Sequence, residues 1–123
     1  MSATEPTLFT RIINGEIPAD FVYRDERAVA FRDINPKARH HILIVPVKPI
    51  PSLAEVSEDD EALLGHLLVV ARMIAQKLGV NESGYRMIIN VGADGGQEVP
   101  HLHLHLLAGG RLGALGTPEP AHA

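Results

Sequence analysis

The sequence predicts an α+β fold in which helices pack against an antiparallel sheet. Apolar residues recur at three- and four-residue steps between Leu63 and Leu78, the pattern of an amphipathic helix. Short segments rich in Ile, Leu and Val lie on both sides of that helix, as expected for strands. The connections between neighbouring segments are short enough for hairpins, which join antiparallel strands.

The first half of the chain contains a short helix and three strands. Leu8, Phe9, Ile12 and Ile13 follow helical spacing, and the pattern ends at Asn14-Gly15, so we predict a short N-terminal helix. A hairpin is predicted from the two apolar segments that flank a charged tetrapeptide, Phe21–Tyr23 and Ala28–Arg32. A central strand, ended by Pro46 and Pro49, is predicted for the segment rich in Ile, Leu and Val, His41–Val47.

The long helix has start and stop signals. Ser57 followed by Asp60 is typical of a capping box, while Lys77 and Gly79 are typical of a helix end. Its apolar face is wider than one sheet contact requires. Two interpretations remain open: deep burial within one chain, or one side on the sheet and the other on a partner subunit.

The last third of the chain is predicted to form two strands around a glycine-rich loop. Gly84–Val91 and Val99–Leu107 are the predicted strands, and Gly92–Gln97 is the loop between them. We expect one domain over residues 7–112, since a chain of 123 residues fits a single core. Residues 1–6 are expected to be a flexible N-terminus, and residues 113–123 a tail.

Composition excludes several classes of function. A net charge of −4 with only five aromatic residues does not suit nucleic-acid binding. The absence of Cys excludes disulfides, thiolate nucleophiles and cysteine zinc sites. No apolar run approaches the roughly 20 residues of a membrane span. The N-terminus has neither the basic start nor the apolar region of a secretory signal, so we expect a cytoplasmic protein.

Three histidines alternate with leucines near the C-terminus. On a strand, His101, His103 and His105 would share one face at spacings of about 6.6 Å. The leucine face is expected to belong to the core. The histidine face needs another explanation, because burying three neighbouring imidazoles costs desolvation free energy. The histidine face has three interpretations: an exposed polar face, a metal site completed by a residue such as His41, or a phosphate site with a histidine nucleophile.

The loop that precedes the histidines favours an anion. Residues 90–97 supply three glycines and two amide side chains beside the imidazoles. Glycine lets backbone N–H groups approach an anion closely. Taken alone the loop is weak evidence, because glycine-rich turns are common connectors.

The histidine motif carries a resemblance to a known family. The segment from His101 to Leu107 matches the histidine-triad signature, in which three histidines alternate with apolar residues. The chain is similar over roughly residues 7–112 to the Hint branch of that superfamily, the histidine-triad nucleotide-binding proteins. The similar segments are Phe31–Pro36, His41–Pro46, the helix Leu63–Leu78, Gly84–Met87 and Asn90–Gly110.

This resemblance implies a fold, an assembly and an activity. Hint proteins have a five-stranded antiparallel sheet and pair as homodimers through the long helix and the sheet edge. They hydrolyse purine nucleoside phosphoramidates, in which AMP or GMP is joined to an amine, through a nucleotidyl-histidine intermediate. The family mechanism requires no metal or other cofactor.

The resemblance also assigns residues. His103 would be the nucleophile, surrounded by His101, His105 and His41. Asp33 would bind the ribose hydroxyls, and Asn90 would hold phosphate oxygens with the loop residues Gly96, Gln97, Glu98 and Val99. The purine slot would consist of Phe9, Ile12, Ile17, Phe31, Ile34 and Leu43. Without the resemblance, Asp33 would more often be a turn carboxylate, and the apolar residues would more often belong to a core.

One departure from the family pattern leaves the leaving-group side of the substrate open. Glu98 stands where many eukaryotic members carry Ser, and a carboxylate near phosphate is unfavourable unless it points away or acts on the leaving amine. Alternative functions are hydrolysis of dinucleoside polyphosphates, as in another branch of the superfamily, and a non-catalytic adaptor dimer that binds nucleotide or zinc.

Overall fold

The computed structural model describes residues 6–115, so most of the predicted flexible N-terminus and tail lie outside the described residues. Two 3₁₀ turns, Leu53–Glu55 and Glu58–Asp60, precede the second helix. The helices and strands, in chain order, are α1 (Leu8–Ile13), β1 (Phe21–Arg24), β2 (Ala28–Arg32), β3 (His40–Pro46), α2 (Glu61–Lys77), β4 (Tyr85–Ile88) and β5 (Leu104–Ala108).

The five strands form one antiparallel sheet in the order β1-β2-β3-β5-β4. The predicted α+β class, with a long helix and a short N-terminal helix, is confirmed. The predicted central strand is β3, which pairs with β2 on one side and with β5 on the other. The last strand in sequence therefore lies inside the sheet, beside the strand that begins at His40.

The sheet separates two apolar clusters because alternate strand residues point to opposite faces. On β3, Ile42 and Ile44 belong to the larger cluster, which α2 covers. Leu43 and Val45 belong to the smaller cluster, which α1 covers with Phe9 and its neighbours. On this side of the sheet the rings of His101 and His103 pack against Phe9 of α1.

The signals at both ends of α2 act as predicted. The Ser57 side chain and Asp60 form a capping box, although it closes a 3₁₀ turn immediately before the helix. Asp60 is buried and accepts from Lys48 Nζ at 2.6 Å. After the helix, Gly79 adopts a positive φ of 75° and donates its N–H to Gln76, a conformation that favours glycine.

The predicted bounds of the last two strands are wrong. Both strands are shorter than Gly84–Val91 and Val99–Leu107, because the backbone before β5 bonds outside the sheet. His101 donates its N–H to the Val99 carbonyl, and Leu102 donates to the Ile50 carbonyl. Only His105 of the three histidines therefore lies on a strand.

Within residues 6–115, no helix combines the length and the apolar composition that crossing a membrane requires.

Candidate active site

A cavity of about 350 Å³ opens between α1, the end of β2 and the glycine-rich loop. One part of its wall is apolar, and the other part carries carboxylates, two amides and imidazoles. The lining residues are Leu8, Phe9, Ile12, Ile17, Pro18, Ala19, Phe31, Arg32, Asp33, Ile34, Asn35, Leu43, Asn90, Gly96, Glu98, Val99, His103 and His105.

Most of the candidate site residues lie in this wall. Three candidate residues do not line the cavity: Gln97, His101 and His41. Ile34 is unusual among the apolar members, because its side chain is 90% exposed at the mouth of the cavity. Arg32 also lines the cavity, but its guanidinium lies 3.4 Å from the Asp20 carboxylate.

His101 is a buried supporting residue. It is 0% exposed, and its Nε2 lies 2.9 Å from the Pro46 carbonyl oxygen, which only accepts, so Nε2 carries the proton. Its Nδ1 lies 2.9 Å from the Thr7 hydroxyl. That hydroxyl caps α1 by accepting from the Thr10 N–H, which leaves its own proton to donate to His101.

His103 presents one unprotonated nitrogen. Its Nδ1 lies 2.7 Å from the His101 carbonyl oxygen, so Nδ1 carries the proton and Nε2 carries the lone pair. The ring packs edge to face against Phe9, with 4.8 Å between centroids. A ring fixed in this way is suited to nucleophilic attack by Nε2.

A second group of polar side chains lies beside His103. His41 Nε2 is 2.9 Å from His105 Nδ1 and 3.5 Å from Asp33 Oδ2. The ring of His105 is 5.0 Å from that of His103. Among residues 6–115, Asp33, His41 and His105 are the group whose ligand-type atoms come close enough together, within 4.8 Å, to be considered for a metal ion.

Burial keeps these imidazoles neutral. Desolvation is the largest cause of the lowered pKa of His41, His101 and His103. The pKa of His105 falls to about 4, because burial is reinforced by the charge that His103 and His41 would carry. At neutral pH the site therefore holds lone pairs and N–H donors rather than imidazolium ions.

These lowered pKa values predict that acid destabilises the fold. In the unfolded chain His105 takes up a proton near pH 6.5, but in the folded chain only near pH 4. The unfolded state therefore binds more protons in this window, and the free energy of unfolding decreases as the pH falls from 6.5 to 4. Urea midpoints measured across this range check the prediction, and His105→Gln should flatten the curve. A midpoint independent of pH between 6.5 and 4 would contradict it.

The glycine-rich loop is held by its own amides. Gln97 Oε1 accepts from the Gly92 N–H at 3.0 Å, while Gln97 Nε2 donates to the carbonyls of Pro51 and Val99. Asn90 Nδ2 donates to the Gly95 carbonyl at 2.7 Å. The backbone N–H groups of Gln97 and Gly96 also bond within the loop. Gln97 is thus a residue that shapes the loop.

Sequence reasoning missed Thr7 as a supporting residue. A Thr before an apolar helical pattern is a visible capping signal. Its contact with His101, 94 positions away in the chain, has no signal in the sequence. The lining residues Leu8, Pro18, Ala19, Arg32 and Asn35 were also not predicted, because side chains of these types are common outside binding sites.

The chain is similar in sequence and fold to several known proteins. The purine nucleoside phosphoramidase of Escherichia coli K12 is 50% identical over 111 residues, which cover 90% of this chain and 93% of that protein. A histidine-triad protein from Clostridium difficile superposes with a TM-score of 0.86 at 46% identity, over 89% of this chain and 95% of its own. A HIT family hydrolase from Legionella pneumophila gives 0.83 at 49% identity, over 85% and 93%.

The match to the family itself is extensive. The family model of the HIT domain covers residues 14–112, which run from the end of α1 through the last strand and include all four clustered histidines. The matched residues include all five strands of the sheet, and the chain belongs to the HIT domain family.

Proposed function

We propose that this protein hydrolyses the P–N bond of purine nucleoside phosphoramidates through a covalent nucleotidyl-histidine. The observation that carries the proposal is the unprotonated Nε2 of His103, held at the wall of a nucleotide-sized cavity by the bond from Nδ1 to the His101 carbonyl. The E. coli relative named for this activity supports it, since the two chains are 50% identical.

The reaction proceeds in two displacements. His103 Nε2 attacks the α-phosphorus, the bond from phosphorus to the amine breaks, and the amine takes up a proton from solvent as it leaves. Water then attacks the same phosphorus, the bond to His103 breaks, the nucleoside monophosphate is released, and the proton lost by the water returns to solvent. Dividing one difficult displacement into two easier ones is the general advantage of covalent catalysis.

The nucleoside occupies the rest of the cavity. We place the purine, as an AMP or GMP derivative, between Phe9, Ile12, Ile17, Phe31 and Leu43, which form the apolar part of the wall with the exposed Ile34 at its mouth. Asp33 Oδ1 accepts from the Asn35 N–H at 2.8 Å, which fixes the carboxylate and leaves Oδ2 for the ribose hydroxyls.

The phosphate lies between the histidines and the loop. Asn90, Glu98 and Val99 line the same cavity as His103 and His105. Because the N–H groups of Gly96 and Gln97 are occupied within the loop, we assign phosphate contacts to Glu98 and Val99. We assign the Glu98 carboxylate to the side of the leaving amine, away from the phosphate charge.

A homodimer is the proposed assembly. Leu68, Val69 and Met73 leave about half of their side chains exposed on α2, at 55%, 54% and 45%. The strand β4 lies at a sheet edge, and within residues 6–115 it pairs with a strand on one side, which leaves its other side for a second copy. The exposed apolar residues of α2 and the edge strand β4 together suit the homodimer expected from the resemblance, which pairs through the long helix and the sheet edge.

Sedimentation of the purified protein tests the assembly. We expect a dimer at micromolar concentration, and Val69→Glu should shift it toward monomer because it buries a charge at the interface. Val47→Glu, which introduces the same charge on a loop after β3, should leave the dimer intact. A wild-type monomer at these concentrations would contradict the proposed assembly.

The activity is tested by a paired assay. An adenosine phosphoramidate and a diadenosine polyphosphate are offered separately to the same preparation, and kcat/KM is compared. We expect the phosphoramidate to be the better substrate, and mass spectrometry of acid-quenched enzyme to locate a nucleotidyl adduct on His103. A preference for the polyphosphate would favour the dinucleoside polyphosphate hydrolases, and no turnover of either would favour a nucleotide-binding adaptor.

A further inference from the structure

We propose that the backbone amide of Lys37 sets the protonation pattern of His41 and His105, and that this pattern makes their cluster a hydrogen-bond donor to substrate and a poor metal site. The amide nitrogen lies 3.0 Å from His41 Nδ1. Lys37 is in the segment between β2 and β3, and its side chain is occupied elsewhere, since Nζ donates to the Asn35 carbonyl at 2.9 Å.

The first step of the argument concerns His41. A backbone amide donates and never accepts, so His41 Nδ1 must be the acceptor and must lack a proton. In the neutral ring the proton is then on Nε2. The backbone of His41 is held as well, because its carbonyl accepts from the N–H of Asp33, just after β2, at 2.9 Å. The ring therefore has a fixed position and a fixed tautomer.

The second step of the argument concerns the position of the proton on His105, which follows from the tautomer of His41. The His41 Nε2–H has two acceptors within reach, His105 Nδ1 at 2.9 Å and Asp33 Oδ2 at 3.5 Å. The bond to His105 is the shorter, so His105 Nδ1 accepts and its proton lies on Nε2. His105 thus keeps an N–H on the nitrogen not turned toward His41, in a ring that lines the cavity.

The two histidines at the cavity wall then have opposite polarity. His103 Nε2 carries a lone pair, whereas His105 Nε2 carries a proton, and the ring centroids are 5.0 Å apart. A lone pair beside an N–H matches an electrophilic phosphorus with its non-bridging oxygen. This part of the inference rests on the proposed function; the protonation pattern itself does not.

The same pattern opposes metal binding. A metal bound between Asp33, His41 and His105 would need the lone pair of His41 Nε2. The proton would have to move to Nδ1, where it would face the N–H of Lys37, and two donors would then oppose each other. Because second-layer bonds of this kind change metal affinity by about 10- to 100-fold, one amide is enough to matter.

The direct test is nitrogen NMR of the ¹⁵N-histidine-labelled wild-type protein at pH 7. Long-range nitrogen–proton correlations report which ring nitrogen carries the proton. We expect the proton on Nε2 for His41 and His105, and on Nδ1 for His103. A proton on Nδ1 of His41 overturns the inference, even if the protein is an active phosphoramidase.

A matched pair of variants tests the amide itself. Lys37→Ala keeps the N–H, whereas Lys37→Pro removes it. We expect calorimetric titration with Zn²⁺ to give an affinity about 10- to 100-fold tighter for Lys37→Pro than for Lys37→Ala. Thermal unfolding checks that both variants fold. Equal zinc affinities of the two folded variants overturn the inference, and if Lys37→Pro does not fold, the wild-type NMR result decides alone.

Discussion

Replacing His103 with alanine is expected to reduce kcat for an adenosine phosphoramidate by roughly 10³-fold or more. The variant loses the only atom that forms the covalent bond to phosphorus, while the apolar slot and Asp33 remain. Binding of AMP, measured by calorimetry, should therefore change little. The difference between lost turnover and retained binding separates a nucleophile from a residue that merely supports the cavity.

The control is His66→Ala, which removes an imidazole outside the cavity. His66 lies on α2, and its Nε2 is 2.7 Å from Asp25 Oδ2, near the β1–β2 hairpin. This variant should keep its turnover. Turnover by His103→Ala near the wild-type rate, or an adduct found on another residue, would contradict the covalent mechanism.

Truncating Leu106 to alanine is expected to lower the free energy of unfolding by about 2–5 kcal/mol. The side chain is 0% exposed and belongs to the cluster under α2. It lies opposite Ile42 on β3 and Met87 on β4, so three strands meet at this residue. Few neighbours can move to fill the cavity that the substitution leaves.

Urea denaturation followed by circular dichroism measures this loss. Protein concentration is kept constant, because dimerisation would make the midpoint depend on it. The matched change at an exposed position, Leu115→Ala, should cost less than about 0.5 kcal/mol, since Leu115 is 72% exposed. Similar losses for the two variants would show that burial of Leu106 does not determine its contribution.

The predictions about helices were the most complete. Helix α2 begins and ends near its predicted signals because capping and a glycine with positive φ are local properties. The antiparallel arrangement of the sheet was predicted from the short connections between apolar segments. The bounds of β5 were wrong, because the N–H groups of His101 and Leu102 find partners in other parts of the chain.

The candidate site shows the same division. The alternation of His and Leu singled out the candidate catalytic residues, and His103 and His105 line one cavity. It did not distinguish their roles. His101 differs from His103 because Pro46 and Thr7 occupy both of its ring nitrogens.

The sequence by itself determined which residue types are available and their local conformations: the helix signals, the apolar faces and a histidine motif that identifies a family. Those features depend on neighbours within a few positions. The tertiary structure alone decided which nitrogen of each histidine holds a proton. That depends on partners such as the Pro46 carbonyl and the Lys37 amide, which are backbone groups present at nearly every position and selected only when the strands pack.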